Sequence, residues 1–404
     1  MASICANSDV VSVSCGTKTV ITRLSDGVLF PFKHSDIGET IITEVNDDTH
    51  TNNKASSDSE EIGIGLACCD ISSNGHLMAF CTLGKLLCVV DLQDSKPSII
   101  KVCKLIRGAG KVRFTPVNNH LVVADKSGDV YLFQPQSDDN SGQLILGHLS
   151  LLLDILVTPD EQFIITCDRD EKIRVSSYPS GYNIVAFCLG HSEFVSALRL
   201  LPHDSKYLIS TSGDGTIRFW NYLLGKEETV CNVSQIFGQD KGEGEEESES
   251  NIAAITDAAT TSLDSSTSLI CVTVDNFNAC LVYKCSSEND KFCCNFIQNI
   301  PFQNSHPWGL SLSSNILWLV MSLNDIVLVQ SMVFNLEVFK FQDNMTGCVA
   351  KAVEEINKQN MTADQKKNVV NLLFKRKFEN VQDYLRRKEL RLSATEPPNK
   401  KVKA

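Results

Sequence analysis

The sequence predicts an all-β chain folded as a seven-bladed β-propeller, with a C-terminal helix and a disordered basic tail. Two observations carry this. Segments of one pattern, an apolar strand, a tight polar turn and a second strand, recur with a spacing near 43 residues. Gly-His pairs recur with that same spacing, at Gly147-His148 and Gly190-His191. A period of this length is the mark of a repeat architecture in which no unit buries both faces of its sheet alone.

The elements follow in chain order. At the start, VVSVS and TVITRL alternate as strands do. CTLGKLLCVV at 81–90 is a faint first copy of the repeat. ADKSGDVYLF at 124–133, CDRDEKIRVS at 167–176 and TSGDGTIRFW at 211–220 are fuller copies. Their equivalent positions Asp125, Asp168 and Ser212 lie 43 and 44 residues apart. Thr158-Pro159-Asp160 and Pro202-His203-Asp204 mark turns between them. Past residue 225 the pattern thins, but 268–284 and 316–332 each read as strand, turn, strand, and 308–314 as the first strand of a last blade. The propeller is expected over 1–344, with rim insertions at 36–62 and 236–267. The first strand is expected to complete the last blade and so close the ring.

The unit GHSEFVSALRLLPHDSKYLISTSGDGTIRFWN carries the Gly-His, Asp and Trp marks of a WD40 repeat. In such repeats His, Ser or Thr, Asp and Trp form a hydrogen-bonded chain inside the blade. Here these are His191, Ser210 or Thr211, Asp214 and Trp220. In the preceding unit His148 and Asp170 take the first and third roles, and Ser176 stands where Trp is expected. The histidines therefore read as blade struts rather than ligands or catalysts.

Composition narrows the function. The sixteen cysteines contain no CxxC and sit among apolar residues, as reduced, buried thiols in a reducing compartment do. No metal site and no bound cofactor are expected. NILWLVMSLNDIVLVQSMVF is interrupted by Asn324-Asp325 and reads as two strands around a turn, not a membrane span. The first residues lack the basic start and apolar run of a signal peptide. Net charge is −12, but from Lys366 onward twelve Lys and Arg face four Asp and Glu. An acidic body does not grip nucleic acid by itself, whereas a basic tail can.

Residues 345–392 read as a C-terminal helical segment, and 393–404 as a basic disordered tail. Within the first, Val370, Phe374, Phe378, Val381 and Leu385 form one apolar stripe, and Thr362 with Gln365 fits a capping box. Lys375, Arg376, Lys377, Arg386, Arg387 and Lys388 are candidate contacts to phosphate; an exposed basic helix face would look the same. Lys400, Lys401 and Lys403 read as a nuclear-import patch, placing the chain in the nucleus.

Catalytic motifs are missing: there is no GxSxG, no P-loop and no HExxH. Gly63-Ile64-Gly65 is a lone GxG at the expected start of a blade strand. The densest mixed-charge motif, Asp168 to Arg174, reads as a surface turn suited to a salt-bridged interface.

VVADKSGDVYLF, LGHLSLLLDILVTPDEQFIITCDRDEKIRVS, CLGHSEFVSALRL, STSGDGTIRFWNY and FENVQDYLRRKE together resemble one WD-repeat family. This family is the non-catalytic subunit of the eukaryotic tRNA (guanine-N7)-methyltransferase. The resemblance covers about residues 120–222 and the C-terminal helix. It implies a catalytic partner subunit, which binds S-adenosylmethionine and methylates guanine 46 of tRNA. It also implies a heterodimer in which this chain holds that partner active and helps place the tRNA. Carried over by residue, it marks Asp170, Glu171, Lys172 and Arg174 as the partner interface. A general WD-repeat adaptor, such as a ubiquitin-ligase substrate receptor, is the competing reading. The Trp-Asp-x-Arg common in such receptors is Trp220-Asn221-Tyr222-Leu223 here, without the Asp or the Arg.

Overall fold

The computed structural model describes residues 2–33, 65–237, 253–358, 370–374 and 386, apart from 95, 118–119, 276, 289–290, 303–304, 314, 324–325, 336 and 342. Its strands form seven four-stranded antiparallel sheets, each built from four consecutive strands. Blades 1 to 7 span 2–33, 66–104, 109–147, 152–188, 195–232, 255–301 and 306–341. The first strand of every blade packs against the first strands of its two neighbours, so these seven strands line the axis. The same architecture covers most of the chain, which is therefore a seven-bladed propeller.

Burial follows from this layering. The second strands are sandwiched between neighbouring blades, and Leu77–Thr82 and Tyr207–Ser212 are buried throughout. The fourth strands form the rim, and Lys226–Asn232 is largely exposed. The core is accordingly divided into seven apolar clusters, one between each pair of adjacent blades. Each blade alone would leave two faces wet; stacking removes both from water at about 25 cal/mol per Å² of apolar surface.

Ring closure differs from the expectation. The first strand, Ala2–Ala6, does not join the last blade but pairs with Val10–Cys15 in its own blade. The reason is local: Asn7 Oδ1 accepts hydrogen bonds from Asp9 N (2.9 Å) and Val10 N (2.8 Å), folding a tight turn that favours the nearest partner. The seam between blades 7 and 1 is closed instead by side chains and a helix. Ala6 N donates to Ser311 Oγ at 3.0 Å. The helix Asp343–Asn357 lays Val349, Ala352 and Ile356 against Val11, Val13, Val20, Trp318, Val327 and Val329. Its last residue seals the join: Val327 N donates to Asn357 Oδ1 and Asn357 Nδ2 donates to Val327 O, both at 2.9 Å.

Two boundaries shift. The rim insertion expected over 236–267 is shorter, because Ile255–Ser262 is the axial strand of blade 6 and Thr267–Val274 its second strand. The sequence ITDAATTS hides this strand, since small residues suffice where neighbouring backbones approach closely. The helical segment expected from 345 begins at Asp343. The apolar stretch around residue 325 is a hairpin, with Leu323 facing Ile326. The insertion at 36–62 and the tail at 393–404 lie outside the described residues.

Candidate partner-binding face

The turn 168–172 joins the strands Phe163–Asp168 and Ile173–Ser177 of blade 4. It is organised by one buried carboxylate. Asp168 Oδ1 accepts from Asp170 N (2.9 Å) and Lys172 N (3.0 Å), while Oδ2 lies 3.1 Å from His148 Nδ1. His148 Nε2 in turn lies 2.7 Å from Thr166 Oγ1. The expectation that Asp170 belongs to this chain is therefore corrected: Asp168 occupies the place. The shift arises because Asp168 both caps the turn and grips the imidazole. Burial opposes its charge, yet the His148 bond and the Lys172 amide hold its carboxyl below the usual range.

Blade 5 makes the fuller version. Trp220 Nε1 donates to Ser210 Oγ (2.8 Å), Ser210 Oγ lies 2.7 Å from His191 Nε2, and His191 Nδ1 lies 2.9 Å from Asp214 Oδ2. Between the two hydroxyls left open by the sequence, Ser210 is the link; Thr211 pairs with Ser196 instead. Burial pushes the Asp214 carboxyl up, but the His191 contact outweighs it and holds the group well below the ordinary carboxylate range. In blade 4 the Trp position is Ser176, whose buried Oγ has no hydrogen-bond partner among the described residues.

The turn presents a small charged surface. Asp170 and Glu171 are half-buried and Lys172 is exposed. Arg169, which the sequence reading did not single out, is exposed beside Asp170, with Nε 4.0 Å from Oδ1. Glu171 has φ 71°, and the equivalent residues Lys85, Gly128 and Gly215 have φ 65°, 104° and 76°. The left-handed backbone thus recurs at this turn in blades 2 to 5, and two of these blades meet it with glycine. Retaining glutamate there costs on the order of 1 kcal/mol. Arg174 stands apart from the other three candidates: it is buried, with Nη1 donating to Gly147 O at 2.9 Å. It braces the Gly147-His148 loop from behind, and burial lowers its pKa.

An apolar strip adjoins the turn. The rim strand Ile184–Cys188 exposes Ile184, Val185 and Phe187, flanked by exposed Tyr182 and Leu189. Phe187 is paired in register with Arg174. Leu149, next to His148, is fully exposed. Exposed apolar side chains beside charged ones suit a protein interface. The signal was present in the sequence as a rim strand, IVAFC, too apolar for solvent.

The C-terminal segment returns to the propeller. Val370–Leu373 is helical, and Phe374 stacks edge-on against Phe194 with ring centroids 5.1 Å apart. Leu373 lines the axial channel. Of the candidate tRNA contacts, Arg386 is exposed; Lys375, Arg376, Lys377, Arg387 and Lys388 lie outside the described residues.

Around that channel runs a ladder of ion pairs. Asp154 is fully buried and lies 2.7 Å from Arg199, 3.3 Å from Arg113 and 3.8 Å from Lys111. Arg113 also reaches Asp70, and Arg199 reaches Asp257, so the ladder bridges blades 2 to 6. Burial works against the Asp154 charge, and the surrounding cations overcome it and hold the carboxyl well below its usual range. These groups are saturated by one another, which suits a clamp and not an acid–base pair. Among the described residues no group of three or more His, Cys, Asp or Glu is placed to hold a metal ion.

Residues 134–304 match the family described as the tRNA methyltransferase TRM82 WD40 domain. Relatives described as tRNA (guanine-N(7)-)-methyltransferase non-catalytic subunits are found in several animals. The Mus musculus protein is 46% identical over 144 residues, 36% of this chain and 34% of its own length. The Xenopus laevis protein is 53% identical over 128 residues, 32% of each. The Danio rerio protein is 38% identical over 226 residues, 56% of this chain and 54% of its own. The matches thus span about a third to a half of these relatives. The propeller is also similar to a chain in the crystal structure of a mitotic checkpoint complex, with a TM-score of 0.60, 15% identity, and coverage of 84% and 85% of the two chains. That likeness concerns the fold alone.

Proposed function

We propose that this chain is the non-catalytic subunit of a tRNA (guanine-N7)-methyltransferase, binding the S-adenosylmethionine-dependent subunit as a heterodimer and helping to place tRNA. The match of residues 134–304 to the TRM82 domain carries the reading. The geometry supports it, because that segment contains the charged turn and the apolar strip side by side. Asp170, Glu171 and Lys172 form the polar contact, and Phe187 and Leu189 the apolar one. Arg174 acts behind them by holding the loop that presents Leu149. The propeller contributes no reacting group in this reading, and the methyl donor sits on the partner. The basic residues from Lys375 to Lys388 meet the tRNA backbone, and the complex works in the nucleus.

The test is co-purification with the catalytic subunit, followed by an assay of N7-methylguanine in tRNA. Wild type binds and activates. Glu171→Lys together with Lys172→Glu stays folded, and both binding and activity fall at least tenfold. A wild-type chain that neither binds nor activates the subunit overturns the reading. Reversal of Lys375, Arg376 and Lys377 weakens tRNA binding by the complex and flattens its salt dependence; unchanged binding removes those residues from the account.

A further inference from the structure

The axial channel encloses about 620 Å³ and is walled by the first strands of the blades. Two of its lining residues are cysteines on neighbouring blades: Cys5 in Ala2–Ala6 and Cys69 in Leu66–Ile71. Their sulfurs are 3.1 Å apart, although the residues are 64 positions apart in sequence. Ser3 Oγ lies 3.6 Å from the Cys69 sulfur, and Cys5 Sγ donates to Cys69 O at 3.5 Å. Lys111 and Arg113 line the same channel, with Asp70 opposite in charge beside them. The pair therefore has contact distance and a route for a small molecule, with Lys111 favouring a thiolate at Cys69 and Asp70 opposing it.

We propose that Cys5 and Cys69 form a peroxide-sensitive dithiol that closes into a disulfide joining blade 1 to blade 2. The oxidant is hydrogen peroxide or a small alkyl hydroperoxide. Cys69, as thiolate, attacks one peroxide oxygen; the O–O bond breaks, and with hydrogen peroxide a hydroxide ion leaves, leaving Cys69 as a sulfenic acid. The Cys5 sulfur then attacks the Cys69 sulfur, the S–O bond breaks, and a second hydroxide leaves. The Cys5 proton and one from solvent convert both to water. Two thiols lose two electrons and one peroxide gains them.

The assignment of roles follows from the surroundings. The hydrogen bond from Cys5 favours the charged form of Cys69 and lowers its pKa; burial and the Asp70 charge oppose this, and Ser3 and Lys111 assist it. The same bond holds the proton on Cys5. Distance alone would point elsewhere, because Cys285 and Cys294 are only 2.7 Å apart. There the bond from Cys231 lowers the Cys294 pKa, but the Cys285 bond and burial outweigh it and push the thiol well up. Thiolate character and a place on the channel wall, more than proximity, decide which pair reacts.

The experiment uses the full reduced chain and hydrogen peroxide at one to five equivalents, with residual thiols then blocked by N-ethylmaleimide and peptides sequenced by mass spectrometry. A linked peptide assigned to Cys5–Cys69 appears first, before any Cys285–Cys294 link. In Cys5→Ser the intermediate cannot resolve, and dimedone traps sulfenic acid at Cys69 at least fivefold more than in wild type. The proposal is overturned if both thiols remain fully alkylated while other cysteines oxidise, or if Cys285–Cys294 links first. It is equally overturned if Cys5→Ser leaves dimedone labelling of Cys69 unchanged. None of these readouts needs the methyltransferase subunit, so the outcome is independent of the proposed function.

Discussion

His148 Nδ1 lies 3.1 Å from the carboxylate of Asp168, two residues before the aspartate that the repeat pattern assigns to it. This exchange releases Asp170 to the surface, where it stands beside Arg169. The two aspartates of one short turn thereby have opposite duties. Replacing Asp168 by Ala removes the His148 contact and leaves two turn amides without their acceptor, a loss of about 2–3 kcal/mol. Replacing Asp170 by Ala changes stability by no more than about 0.5 kcal/mol and weakens partner binding. Denaturant unfolding of both variants checks this; equal losses would mean that the histidine does not depend on Asp168.

Glu171 is held at φ 71° at a turn position filled by glycine in blades 3 and 5. Glu171→Gly should leave stability unchanged or raise it by up to about 1 kcal/mol, because a left-handed backbone favours glycine. The same change should reduce affinity for the catalytic subunit. Thermal unfolding and a binding titration on one sample measure both. A clear drop in the melting temperature would show that the side chain is held for stability and not for contact.

Much of this was legible beforehand, for stateable reasons. The blades of residues 120–222 announce themselves because turn residues such as Asp125, Asp168 and Gly215 recur where backbone geometry leaves little choice. Blade 6 is hidden because its axial strand, Ile255–Ser262, is built of small residues that carry no alternating apolar signal. Ring closure departs from what the repeat implies because strand pairing between the chain's two ends is decided by a turn at Asn7 and by a helix at 343–357, neither of which is part of the repeat. The burial of Arg174 was also invisible, since the motif Asp-Arg-Asp-Glu-Lys-Ile-Arg reads as uniformly exposed. Its guanidinium instead meets the carbonyl of Gly147. Charge reversal at Arg174 therefore tests folding before it tests an interface.

Acid should unfold the propeller through its buried carboxylates. Asp154, Asp168 and Asp214 are all held below the ordinary carboxylate pKa in the folded chain. A depressed folded pKa means that the unfolded state binds protons first as pH falls. The stabilisation is complete above the unfolded value, near 4, and is lost progressively below it. Stability measured from pH 6 to pH 2 should be flat at the upper end and fall steeply below about pH 4. In Asp214→Asn the acid slope should be shallower, while stability near neutrality is already lower. A slope identical to wild type would show that Asp214 titrates alike in both states.

The last prediction concerns the seam. Blades 7 and 1 exchange no strand, so the helix Asp343–Asn357 carries the work that a shared strand would do. Val349, Ala352 and Ile356 are buried between the two blades, and Lys18 Nζ lies 3.1 Å from Glu355 Oε1 at its edge. That ion pair is partly exposed and contributes little. The apolar contacts and Asn357 matter more. Ile356→Ala should cost about 2–4 kcal/mol, as large-to-small changes in a packed core do. Asn357→Leu keeps the bulk but leaves the amide and carbonyl of Val327 without their partners, a cost of about 1–3 kcal/mol. Both variants should open the ring locally before they unfold it, so hydrogen exchange should quicken first at 2–23 and 316–334, and only later in blades 3 to 5. Uniform acceleration around the ring would mean that the helix stabilises the propeller as a whole and is not a latch on its seam.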